Sequence, residues 1–303
     1  MAASGYQYGV SEVRTAIGLP AAHDGQKHPG LADIGWSCLQ EILRQHNKIR
    51  MLTGGGPGMR DSSHPRPTTR RAIVVGALVA ATAPVFAQVA PPQRLLFIGN
   101  SLTYTNNLPR IVEAVFAGAG ATASTEMVAM PGISLFDHWY SPRREAEKAI
   151  ARGGWSTVVM QQGPSAQPES RRDLRSSVKR FAKFIAAAGA RPALYCVWPQ
   201  QSRPEDFDAV IESYRLASDD IGALFFPVGA AWRRTPAEIP LYSGDGIHPN
   251  AYGSYLAALV MYGVLSGKSP EGLPAMLTFS DGTQARLPES IAAALQGAAA
   301  SVL

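Results

Sequence analysis

The stretch at residues 94–109, RLLFIGNSLTYTNNLP, decides how the rest of the chain is read. Leu95, Leu96, Phe97 and Ile98 make an apolar run of the kind found in a strand buried on both faces, and Gly99-Asn100-Ser101 ends it abruptly. A helix is expected soon after, with Asn107 as a capping residue type and Pro109 suited to a first turn. The serine therefore stands at the carboxyl end of a buried strand. It belongs either to an ordinary turn or to the mouth of a crevice.

Four more runs read as strands, at residues 126–130, 157–160, 193–198 and 223–228. Helical spacing separates them: Leu108, Ile111, Val112, Val115 and Phe116; then Leu174, Val178, Phe181 and Ile185; then Phe207, Val210, Ile211 and Tyr214. Residues 134–154 also read as helical, and a last strong helix carries Tyr252, Tyr255, Leu256, Leu259, Val260 and Gly263. Apolar strands alternating with helices predict a parallel sheet wound by right-handed crossovers. The expected class is a three-layer α/β/α domain on a five-stranded, mostly parallel, flavodoxin-like sheet. The tail predicts a short turn or hairpin around Ser280-Asp281-Gly282 and an Ala-rich terminal helix. In sheets of this kind ligands bind outside the carboxyl ends of the strands, where Ser101 falls.

The 303 residues carry a formal charge of +5. Nine Lys/Arg against five Asp/Glu lie in residues 1–87, and nineteen against eighteen in residues 88–303. The basic character belongs to the leader, so nothing points to nucleic acid as a partner of the folded part. Cys38 and Cys196 are the only cysteines. Cys196, in the apolar run ALYCVW, reads as a small buried hydrophobe. No His/Cys cluster with zinc spacing is present, and no metal or cofactor is expected.

Residues 59–87 have the three-part form of a secretory signal: basic residues ending in Arg70-Arg71, an apolar stretch, and Val85-Phe86-Ala87 as a small-x-small cleavage site. The apolar stretch, residues 72–87, contains Gly76 and Pro84 and falls short of the ~20 residues that span a bilayer, so no stable membrane anchor is expected. The organisation expected is a non-native or disordered extension at residues 1–58, a signal at 59–87, and an exported domain at 88–303 cleaved near Ala87.

A serine hydroxyl is a weak nucleophile without a base in hydrogen-bond reach, itself oriented by a third group. The exported part holds two histidines, His138 and His248. His138, flanked by aromatic residues in FDHWY, reads as packing or surface. His248 lies in the turn-rich GDGIHPNAYG, where Gly246 lets Asp245 fold back onto the imidazole and Pro249-Asn250 begins the last helix. Ser101, His248 and Asp245 are thus the candidate nucleophile, base and orienting carboxylate.

These residues resemble the SGNH/GDSL family of serine esterases and lipases. Gly99-Asn100-Ser101-Leu102 is similar to the family's GDSL block with Asn for Asp, Gly132 in AMPGIS to its second block, and Asp245-x-x-His248 to its last. The resemblance implies an oxyanion hole formed by the backbone N–H groups of Ser101 and Gly132. It weakens at the third block, where the family's G-x-N-D would supply an Asn amide and this chain has VVMQQGPSAQP. Placing Gly163 on the family glycine puts Ser165 at the Asn position; otherwise Gln161 or Gln162 supplies the amide, and a glutamine is the closer chemical substitute. The G-x-S-x-G elbow of α/β-hydrolases is absent from the sequence.

The function implied is exported ester hydrolysis through an acyl-enzyme, with a small-molecule or carbohydrate O-acyl ester as the partner. The alternatives are a lipid or aryl esterase of the same fold, or a carbohydrate-binding module with impaired catalysis. Trp139, Trp198, Trp232 and Tyr242 fall near strand ends, where aromatic rings either pack the core or line a sugar or acyl pocket.

Overall fold

A computed structural model describes residues 92–303. The expected extension, the signal segment, its cleavage site and Cys38 lie outside the described residues.

β1 (Gln93–Gly99) runs into a short helix, α1 (Ser101–Tyr104), then a 3-10 turn (Thr105–Asn107) and α2 (Leu108–Gly118). β2 (Ala123–Ala129), α3 (Leu135–Tyr140), α4 (Glu145–Ala151), β3 (Thr157–Met160), α5 (Pro168–Ala187) and β4 (Arg191–Tyr195) follow. The chain continues through α6 (Phe207–Asp219), β5 (Leu224–Phe226), α7 (Val228–Arg234) and α8 (Ala251–Ser266). It ends in the hairpin β6 (Met276–Thr278) and β7 (Gln284–Arg286), and α9 (Glu289–Ala300).

β1 to β5 form one parallel sheet in the order β2-β1-β3-β4-β5. The chain moves outward from β1 to β2, then returns to pair β3 on the other side. With right-handed crossovers, that reversal sends the connecting helices to opposite faces. It also leaves a crevice outside the carboxyl ends of β1 and β3, whose onward connections run to opposite sides. The position of the turn bearing Ser101 thus follows from the topology as well as from its own residues.

Burial explains the pattern of the strands. Leu95 to Gly99 and Thr157 to Met160 are buried without a break, as expected for inner strands. β2 is the edge strand and is mostly accessible, so its polar start at Ala123-Ser124-Thr125 extends the strand ahead of the expected 126–130. β4 leaves the ladder at Tyr195, although Cys196, Val197 and Trp198 stay buried. β5 is three residues long, and the apolar residues after it form α7 instead of more strand. α8 is apolar all round and buried at every residue from Gly253 to Gly263, which makes it a central helix with no polar stripe.

Trp198 and Trp232 belong to this core. They are 1% and 5% exposed and stack at 3.6 Å between ring centroids. Trp139 packs edge-on against Phe181 and Phe184, and Tyr242 donates to the Pro199 carbonyl. Cys196 is fully buried, and burial pushes its thiol up to about 12. That makes it inert at neutral pH.

Candidate active site

Ser101 is the first residue of α1, and its neighbour Asn100 is the cap: Asn100 Oδ1 accepts from the Leu102 amide at 3.0 Å. The helix thus begins at the serine itself. Asn107, expected as a side-chain cap, precedes α2 in a left-handed conformation and makes no capping bond, while Pro109 sits in the first turn. Ser101 contacts the Tyr104 phenol, whose pKa is raised by burial and lowered in part by that contact.

The strand end is held tightly from several sides. Gln161, 1% exposed at the exit of β3, accepts from the Asn100 amide (3.0 Å) and from Thr103 Oγ1 (2.8 Å) through its Oε1. A Cβ on Gly99 would lie 2.5 Å from that same oxygen, so only glycine fits there. Buried His138 contacts the Gly99 carbonyl through Nε2 at 2.8 Å. A carbonyl only accepts, so Nε2 carries the proton, and burial holds the imidazole pKa low. His138 is therefore a structural fastening of the strand end.

Gly132 lies in the turn after β2 with φ at +67°, a left-handed conformation that favours glycine. Among the described residues no backbone hydrogen bond takes up the Ser101 or Gly132 amide. Ile133 accepts from Asn100 Nδ2 at 3.0 Å, and Ser134 caps α3 with a reciprocal Asp137 bond, so the Gly132 turn is anchored on both its following residues.

Asp245 and His248 are brought together directly. His248 Nδ1 and Asp245 Oδ2 are 2.5 Å apart, and Asp245 Oδ1 accepts from the Ile247 and His248 amides, each at 2.9 Å. Burial opposes ionisation of Asp245, but the bonds from His248, the two amides and Ser243 outweigh it. The carboxyl is held well below the usual range. His248 Nε2 has no hydrogen bond among the described residues, so the imidazole keeps one nitrogen free for another group. The loop is fixed from below by Trp198 Nε1 donating to Ile247 O at 3.1 Å, and from behind by Asn250, which caps α8.

Asn106 ties this loop and the start of α8 to the Ser101 segment. Asn106 Nδ2 donates to Pro249 O at 3.0 Å and to Ser254 Oγ at 2.9 Å. Tyr195, at the end of β4, donates to Leu102 O at 3.4 Å. Sequence reasoning missed Asn106; the one local signal was its residue type, since asparagine tolerates the left-handed conformation, φ 54°, that it adopts.

The third block departs from expectation. Gln161 Nε2 donates to Asn100 Oδ1 (3.0 Å) and to Gln162 O (2.5 Å), so both its hydrogens are engaged. Gln161, a candidate oxyanion donor in the sequence, thus spends its amide on supporting the Ser101 turn. Ser165, the other substitute, is buried and directs its hydroxyl to Gly163 O. Gln162 donates one amide hydrogen to Ser165 Oγ at 2.8 Å, and its Oε1 accepts from the Leu135 amide beside the Gly132 turn. Its second amide hydrogen remains unengaged among the described residues. No group of three or more His, Cys, Asp or Glu among these residues is placed to hold a metal ion.

No protein-family model and no curated protein matches the chain. Among solved structures, a protein from Slackia heliotrinireducens described as an SGNH hydrolase is 30% identical, with 57% of this chain covering 99% of that one at a TM-score of 0.52. A DUF4886 family protein from Bacteroides uniformis is 18% identical, with 70% of this chain covering 94% of that one at a TM-score of 0.58. The second likeness is one of fold.

Proposed function

The chain belongs to the SGNH/GDSL superfamily of carboxylic ester hydrolases, and from that premise we propose that it is an exported serine esterase acting on O-acylated carbohydrates. Ser101 Oγ attacks the ester carbonyl carbon while His248 Nε2 takes its proton. The carbonyl oxygen becomes an oxyanion, held by the Ser101 and Gly132 amides and by the remaining amide hydrogen of Gln162. Collapse expels the alcohol, which takes the proton from His248, and leaves an acyl ester on Ser101. Water then repeats the sequence and releases the acid. Throughout, Asp245 holds the imidazole by Nδ1 and stabilises its protonated form.

The observation that carries this reading is the bond of 2.5 Å from His248 Nδ1 to Asp245 Oδ2, which leaves Nε2 as the acceptor nitrogen. The free amides of Ser101 and Gly132 support an oxyanion site, where each donor is worth roughly 10²- to 10³-fold in rate. For the substrate class, the support is the exposed pair Phe136 and Tyr140 on α3, the helix that follows the Gly132 turn, with ring centroids 4.4 Å apart. Exposed aromatic faces suit the apolar face of a sugar ring. The signal-like residues 59–87 support export.

The test is hydrolysis of 4-nitrophenyl acetate by the full chain beside Ser101→Ala and His248→Ala. Both variants should fall to background, and a wild type no faster than either sinks the enzyme reading. Acetate release from an O-acetylated oligosaccharide, against hydrolysis of long-chain aryl esters, decides the substrate class.

A further inference from the structure

We propose that the Asn100 side-chain amide is a positioning group that fixes the Ser101 and Gly132 donors relative to each other, and that an aspartate cannot replace it in this chain. The inference rests on the esterase reading above. Asn100 is 6% exposed and uses both halves of its amide. Oδ1 accepts from Leu102 N and Gln161 Nε2, each at 3.0 Å, and Nδ2 donates to Ile133 O at 3.0 Å. Leu102 follows Ser101, and Ile133 follows Gly132. One side chain therefore bonds within one residue of each candidate oxyanion donor, just beyond the point where the β1–β2 ladder ends at Gly99 and Met130.

The chemistry of the third bond distinguishes asparagine from its isostere. A carboxylate keeps both bonds at Oδ1, since oxygen is the acceptor there. At the other position it sets a charged oxygen against the Ile133 carbonyl oxygen at the same 3.0 Å, where neither can donate. The Ile133 peptide must then move, and Gly132 moves with it. Gln161 belongs to the same unit. It returns a donor to Asn100 Oδ1 and an acceptor to the Asn100 backbone N–H, so the Asn in the first block and the Gln in the third form one hydrogen-bonded pair.

Asn100→Asp, a change toward the family's commoner sequence, is the decisive variant, with 4-nitrophenyl acetate as the probe. At about pH 8 its kcat should fall about 10- to 100-fold with KM changed by less than about threefold, since a misplaced donor acts on the transition state. Protonation gives the aspartic acid an O–H that can donate to Ile133 O. The ratio of variant to wild-type kcat should therefore rise as pH falls toward about 5, which a merely destabilised fold does not produce. Asn100→Gly keeps a favourable cap residue and removes the side chain, so it should show the kcat loss without the pH recovery. If Asn100→Asp matches wild type in kcat with a flat ratio, the proposal is overturned. If Asn100→Asp fails to fold, wild-type kcat in Asn100→Gly overturns it instead. An inactive wild type overturns the esterase reading rather than this one.

Discussion

Asn106 reaches from the segment after Ser101 to the carbonyl of Pro249, 3.0 Å away and one residue beyond His248. Its other amide hydrogen bonds Ser254 Oγ at 2.9 Å, so one side chain sets the interval between the nucleophile segment and the histidine loop. Asn106→Gly keeps the left-handed backbone and removes this link. Two lost hydrogen bonds are worth about 1–2 kcal/mol, and expressed at the site that lowers kcat roughly 10-fold. Circular dichroism melting should show a smaller effect than steady-state kinetics, because Asn106 is itself exposed and its one buried partner is the Ser254 hydroxyl.

Asp245→Asn tests the orienting carboxylate. An amide presents either its N–H or its oxygen to His248 Nδ1, and the pairing with the Ile247 and His248 amides demands oxygen at the Oδ1 position. That turns an N–H toward Nδ1 and selects the wrong tautomer. The expected loss is of order 10³- to 10⁴-fold in kcat with KM little changed, read from esterase kinetics.

Trp198→Phe separates core from pocket. The ring volume largely remains, but Ile247 O loses its donor and the stack on Trp232 is weakened. Stability should fall by about 1–3 kcal/mol, measured by urea denaturation, and selectivity among acyl esters should stay unchanged. Altered selectivity would place Trp198 against the substrate.

Acid stability isolates the Asp220 cluster. Hydrogen bonds from Arg175 pull its carboxyl from 3.8 down to about 2, against desolvation, and Lys179 adds to the effect. A depressed pKa contributes stability that is complete above the unfolded value and lost as pH falls through the folded one. Asp220→Asn should lower stability by about 1 kcal/mol at neutral pH. The difference from wild type should shrink below about pH 4 and close near pH 2, followed by melting temperature across that range.

Much of this architecture was legible because it is written in local pattern. The buried runs at Leu95–Ile98 and Thr157–Met160 sit between helices with clear apolar spacing, and the structure joins them in one parallel sheet. Asp245 and His248 are three residues apart, so their pairing needs only a tight loop. What was illegible depends on distant partners. Nothing near Gln161 in sequence reveals that Asn100, 61 residues earlier, occupies its amide. The tryptophans near strand ends carry no local mark that tells core from pocket. The apolar residues after β5 suit strand or helix alike, and tertiary packing against α6 and α8 makes them α7.

The central claim is that Ser101 is a nucleophile activated by His248, and covalent capture tests it most directly. A fluorophosphonate reacts with an activated serine and remains attached, so mass spectrometry of the digested protein locates the adduct without reference to any natural substrate. One adduct is expected, on the peptide bearing Ser101, absent in Ser101→Ala and formed far more slowly in His248→Ala. No adduct on the folded wild type, or one on another residue with Ser101 unmodified, would contradict it.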